Sequence, residues 1–182
     1  MPFIVVIAVV GLIGVFAVNN AMQSNASSGG NVLSANKKVD IEKPVAQQIL
    51  NRSFNFPLRD AQGKEVSQLK YEIQNAELRD EIVVKGQRAT AVQGRTFLIL
   101  NLKITNNYDK SIQLNSKDYV RLTVGNSTEQ LAADIHNDPV DVQAISTKYT
   151  RLGFPIDDNE KSLTIQVGEI TGKKEQIKLD LK

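Results

Sequence analysis

The sequence predicts an all-β body, a two-layer sandwich of seven to nine strands, carried behind an apolar leader and a polar linker. Three observations predict it. Beyond position 53 apolar residues recur at every second place, Gly, Asn and Asp cluster between the runs, and no comparable stretch there shows helical periodicity. The boundaries read as an anchor or signal peptide over 1–18, a linker over 19–52 and the sandwich over 53–182.

The leader runs PFIVVIAVVGLIGVFAV from Pro2 to Val18. As a helix rising about 1.5 Å per residue it spans roughly 25 Å, enough for a membrane crossing. Pro2 is harmless in a first helical turn, and Gly11 and Gly14 are tolerated where lipid offers the backbone no competing partner. The competing reading is a cleaved signal peptide: Val15-Phe16-Ala17 and Ser24-Asn25-Ala26 have the small-residue spacing of a cleavage site. Against it, a basic n-region is missing and the apolar run is long. Lys37 and Lys38 lie at the margin of the window in which positive charge orients a span. With only Met1 ahead of the span, the functional domain is expected on its far side, outside the cytoplasm; a missing basic leader also explains the bare start.

Residues 19–36 (NNAMQSNASSGGNVLSAN) have no apolar periodicity and read as a flexible tether. Such a chain reaches roughly 20 to 25 Å, enough to clear lipid head groups. Asn25, Asn51 and Asn126 each begin an Asn-x-Ser/Thr triplet, to which no glycan is assigned. The following KKVDIEKPVAQQILNR, residues 37–52, can carry one short helix, with Pro44 in its first turn and Val45, Ile49 and Leu50 sharing a face.

The strand series begins with 53–58, then Leu69 to Ile73 with Leu78, and Ile82 to Val84. The clearest run is RTFLILNLKITNN, 95–107, with Leu98, Leu100, Leu102 and Ile104 on one face and Asn101, Lys103 and Thr105 on the other. Phe97 and Ile99 point the opposite way, so its first half should be covered on both sides, by the preceding segment. Asn106 and Asn107 close it, since Asn tolerates a left-handed backbone. Val120, Leu122 and Val124 alternate next, and Gly125-Asn126-Ser127 turns into a partner strand over 128–132. Thr150, Leu152, Phe154 and Ile156 share a face, the acidic run Asp157-Asp158-Asn159-Glu160 makes a turn, and Leu163, Ile165 and Val167 form another inward set ended by Gly168. Ile177, Leu179 and Leu181 supply the last strand. A body of this size buries roughly two-thirds of its unfolded surface. No disulfide is needed.

Composition narrows the chemistry. The chain has no Cys and one His, which removes disulfides, thiolate nucleophiles, cysteine-ligated metals and any two-imidazole site. All 22 basic and 20 acidic residues lie beyond position 36 and nearly cancel, which argues against phosphate-driven nucleic-acid binding. The densest basic step near the end, Lys173-Lys174, reads as a solvated turn. His136, flanked by Asp134, Asp138 and Asp141, offers a carboxylate–imidazole pair suited to acid–base work, but is expected as a solvent-facing loop histidine. The acidic sets Asp134, Asp138, Asp141 and Asp157, Asp158, Glu160 could bind calcium, yet neither matches a loop signature, and solvated turns are expected. Tyr71, Tyr108, Tyr119 and Tyr149 are expected at core edges, with partner anchoring as the alternative. No catalytic, cofactor-binding or metal-binding residue is assigned.

Residues 94–107 (GRTFLILNLKITNN) and 152–168 (LGFPIDDNEKSLTIQVG) carry a family resemblance. The chain resembles an uncharacterised prokaryotic family of membrane-anchored and lipoprotein immunoglobulin-like domains, related to a secreted immunoprotective mycobacterial antigen, over about residues 70–181. The matching features are the Gly before a long apolar strand, the Asn-Asn exit, Tyr119 in the next strand, and Gly153-Phe154-Pro155 before an acidic turn. Two departures stand out: residues 143–147 replace a Pro-Gly turn common in relatives, and no lipidated Cys is present. The resemblance implies an extracytoplasmic immunoglobulin-like fold without established catalytic residues. The expected function is therefore a single-pass, membrane-tethered binding or structural module, not an enzyme, with a protein or cell-envelope partner, no cofactor and no nucleic acid. Its alternatives are a secreted binding protein or antigen, and an accessory domain of an envelope enzyme or transporter complex.

Overall fold

The computed structural model describes residues 39–182, so the apolar segment 2–18 and the linker up to residue 38 lie outside the described residues. Among the described residues no helix is long and apolar enough to cross a membrane. The strands are β1 (Ala46–Arg59), β2 (Glu65–Arg79), β3 (Glu81–Val84), β4 (Gln87–Thr90), β5 (Arg95–Asn106), β6 (Ile112–Leu114), β7 (Val120–Val124), β8 (Ile135–His136), β9 (Val140–Val142), β10 (Ser146–Asp157), β11 (Leu163–Val167) and β12 (Glu175–Lys178). A single 3₁₀ turn, Ser116–Tyr119, precedes β7.

Two sheets form the body. The main sheet has the order β1-β2-β5-β10-β8 and the second β12-β11-β7, with two-stranded pairs β3-β4 and β6-β9 attached. One apolar cluster joins the two layers: Leu69, Tyr71, Ile73, Leu98, Leu100, Leu102, Ile104, Leu152 and Phe154 from the main sheet meet Val120, Leu122, Leu163, Ile165, Val167 and Ile177 from the second. These are the inward sets that period-two alternation identifies, and the fold is a β-sandwich. Six strands are short, of two to four residues, which brings the number among the described residues to twelve rather than seven to nine.

Two expectations about local structure fail for physical reasons. Residues 46–52 form no helix but the first half of β1, which pairs Ala46 with Leu78 and Ile49 with Asn75. The sandwich therefore begins at Ala46, seven residues earlier than the expected boundary at 53. The register slips between Ile49 and Arg52, and Asn51 there has φ +47°, a left-handed conformation that Asn tolerates better than most residues. That bulge breaks the period of two and lets Val45, Ile49 and Leu50 imitate a helical face. Residues 128–132 form no full strand either; they contribute one bridge, Leu131 to Leu122.

The bulges are stacked. Leu100 and Ile104 on β5 face Ala76 and Tyr71 on β2, which face Gln48 and Phe54 on β1, so each strand outward carries one residue more over the same stretch. This bends the sheet and moves the inward set of β2 from Leu69, Tyr71, Ile73 to Ala76 and Leu78.

The outer face of the main sheet is covered at Ile99, which is buried, while Phe97 is half-buried. Ile82 of β3 and Ile99 are both buried outside the main cluster, and Arg151 of β10 donates to the Val83 carbonyl. Gly153 lies in this second contact. A Cβ there would sit 2.9 Å from both Ile135 Cβ and Ile99 Cδ1. We therefore expect Gly153→Ala to destabilise the body by about 1 to 3 kcal/mol through overpacking, read as a lower urea midpoint; an unchanged midpoint would show that β8 yields freely.

Candidate functional site

The only imidazole of the chain is not in a solvent-facing loop. His136 forms part of β8, pairs with Leu152, and is about a quarter exposed. Its Nδ1 accepts from the Asp138 amide at 3.1 Å, and Lys117 Nζ lies 3.3 Å from Nε2. A neutral imidazole accepts at one nitrogen only, so the two donors compete for it.

Asp138 has the larger task. Its carboxylate, 2% exposed, accepts from the Ser116 amide at 2.7 Å, the Ser116 hydroxyl at 2.6 Å and the Lys117 amide at 2.9 Å. It thus satisfies the free amides that begin the 3₁₀ turn, a capping role played from a distant loop. The set Ser116, Asp138 and His136 looks like a nucleophile, an acid and a base, but its connections are wrong for that. Ser116 is fully buried and donates to the carboxylate rather than to the imidazole.

Tyr71 completes the cluster from β2. It is fully buried, and its hydroxyl donates to the Ser116 carbonyl at 3.1 Å. Burial pushes its pKa well above 10, with the Asp138 carboxylate adding to the shift. Tyr119 packs beside it, with ring centroids 4.4 Å from Phe56 and 5.5 Å from Tyr71. Its pKa is also raised, by burial first and then by Glu169 and Asp118, against the opposing charge of Arg59. Core-edge packing thus describes Tyr71 and Tyr119. Tyr149 is instead 64% exposed, and Tyr108 is half-buried beneath Lys110.

The remaining candidates are dispersed. Asp141 accepts from Gln113 Nε2 at 2.8 Å, and Asp157 pairs with Arg95 at 2.7 Å. Among the described residues no three His, Asp or Glu side chains converge on a point that could hold a metal ion. Lys174 turns back on its own loop and donates to the carbonyls of Glu169 and Ile170. Asn106, expected to close β5 with a left-handed backbone, is not among the positive-φ residues. It is fully buried; its Nδ2 donates to the carbonyls of Lys110 and Gln143, and its Oδ1 accepts from the Tyr108 amide. The side chain, rather than the φ angle, ends that strand.

An open recess lies on the flank where β10 and β7 face each other. Beyond Gly153 no strand pairs with this edge of β10, because β8 meets only Leu152 and Gly153. Phe154 and Ile156 of β10, Val124 of β7 and Leu131 line a groove of about 550 Å³. Its remaining lining includes Arg95, Glu129, Asp134, Asp157 and Glu160. The size falls within the range of ligand pockets. Of this lining the sequence marks Asp134 and the acidic turn 157–160 as candidates; the apolar floor comes from segments far apart in the chain.

No family model and no curated protein matches the chain. Its fold is similar to two solved structures. One is a conserved hypothetical protein from Bacillus anthracis, 14% identical, with a TM-score of 0.51 over 73% of this chain and 98% of that one. The other is an uncharacterized β-sandwich protein from Clostridium difficile, 12% identical, with a TM-score of 0.52 over 72% and 92%. At such identity the likeness concerns the fold alone.

The geometry separates the roles of the polar residues. We expect Asp138→Ala to cost about 3 kcal/mol, since it strands buried donors, and His136→Gln less than about 1 kcal/mol, both from urea unfolding. Equal costs would contradict the capping role. The tyrosines predict an alkaline weakness: the unfolded chain releases its phenolic protons near pH 10 while the fold still holds them. Stability is then intact below about pH 10 and falls above it, by up to about 1.4 kcal/mol per pH unit for each such group. Tyr71→Phe should flatten that fall; an unchanged alkaline slope would place the effect elsewhere.

Proposed function

We propose that the chain is a membrane-tethered, extracytoplasmic recognition module of immunoglobulin-like type, held by residues 2–18 and acting without bond-making chemistry. The observation that carries this is the flank groove, floored by Val124, Leu131, Phe154 and Ile156 with charged groups at its mouth. By contrast, the polar cluster at Asp138 spends its hydrogen bonds inside the fold.

The path of the chain supports the immunoglobulin-like type. Taken in chain order, β5, β7, β10 and β11 lie alternately in the main sheet and the second, as in Greek-key sandwiches. Position supports the tether. Val45 pairs with Leu78, Asp158 with Gly94 and Gln47 with Lys182, so the described chain enters and leaves at one end.

Because the chain has no Cys, a single introduced thiol reports its location cleanly. Gln62 is exposed in the β1–β2 turn. The Gln62→Cys variant should react with a membrane-impermeant maleimide on intact cells and remain with the membrane fraction at full mass. Labelling only after lysis would overturn the extracytoplasmic placement, and a shortened product in the medium would replace the tether with secretion.

A further inference from the structure

The flank groove carries a statement about its occupant. Its floor is apolar, formed by Val124, Leu131, Phe154 and Ile156. A strap over residues 127–134 crosses beside it, fastened by reciprocal bonds between Leu122 and Leu131 at 2.9 and 2.8 Å, and by the Asp134 amide on the Gly153 carbonyl at 3.1 Å. The neighbouring edge of β10 is closed to an added strand. Pro155 has no N–H, and its carbonyl accepts from Arg95 Nη2 at 2.9 Å. Side chains, not backbone pairing, must therefore do the recognising.

Charge decides which side chains. Four carboxylates line the groove, those of Glu129, Asp134, Asp157 and Glu160, against one guanidinium, Arg95. Arg95 is engaged by Asp157 at 2.7 Å, while Glu129, Asp134 and Glu160 have no ion-pair partner among the described residues. The surplus is negative, so phosphates, anionic lipid head groups and acidic peptides are repelled. Lys and Arg suit such a mouth, because their long stems cover apolar surface while their heads stay in water beside a carboxylate.

We propose that the groove holds a segment of a partner polypeptide in which basic and apolar residues are interspersed. The assignment rests on the recognition-module reading and names the class of its partner. The apolar side chains enter between β10 and β7, and the cations meet Glu129, Asp134 and Glu160.

The test uses the full chain in a neutral detergent with two fluorescent probes, the acetylated peptides Lys-Leu-Lys-Leu-Lys and Glu-Leu-Glu-Leu-Glu, followed by anisotropy. The basic peptide should bind roughly tenfold or more tightly than the acidic one, and more weakly as salt rises. The combined variant Glu129→Gln, Asp134→Asn, Glu160→Gln should lose roughly tenfold of that affinity. Ala132→Trp, which fills the exposed mouth without changing charge, should abolish binding while leaving the thermal midpoint in place. Equal affinity for both peptides, binding that survives Ala132→Trp, or binding of neither peptide would overturn the proposal. Preference for the acidic peptide with loss in Ala132→Trp would overturn the charge assignment and leave the recognition reading standing; the maleimide experiment judges the module's placement separately.

Discussion

The structure depends on β5 being buried from two sides without any covalent fastening. Leu98, Leu100, Leu102 and Ile104 hold the main sheet to the second, while Ile99 is buried on the outer face beside Gly153. No disulfide and no Trp assist, so the layers stay together only while these aliphatic side chains interlock. That requirement explains the neighbours of β5. β2 and β10 pair along almost its whole length, and Gly153 is small because two isoleucines converge on its α-carbon.

A consequence is that the body closes unevenly. Five strands of the main sheet face three of the second, and the overhang is sealed differently on each flank. On the β1 side, Arg52 reaches Glu175 and the last residue pairs with Gln47. On the β10 side the strap offers one bridge, β8 meets only Leu152 and Gly153, and the groove is what remains. Its acidity arises locally in a chain whose charges nearly cancel. Local charge, rather than the total, governs what approaches it.

Much of this was legible in the sequence, but only where one strand carried the information. Alternation exposes β5, β7, β10 and β11 residue by residue, because each keeps one inward parity from end to end. β2 changes parity after Ile73, which without its partners is indistinguishable from a break between strands. β1 hides further, since Pro44 and the bulge at Asn51 give it the local look of a helix. The capping of Ser116 by Asp138 joins residues 22 apart, and no spacing rule connects them. The groove gathers residues 95, 124, 129–132, 134, 154–157 and 160; Asp134, Asp157 and Glu160 are visible in the sequence as loop and turn acids, Glu129 falls in an expected strand, and the opening they surround is not visible.

The central claim is that this flank, rather than the sandwich surface in general, is where the module meets its partner. A photoreactive residue placed at Gln130, beside the groove, and separately at Asn55, exposed on β1, tests it in living cells. The account predicts one discrete adduct from position 130 that disappears when Glu129, Asp134 and Glu160 are neutralised, and none from position 55. The same adducts from both positions, or adducts indifferent to the three carboxylates, would contradict it.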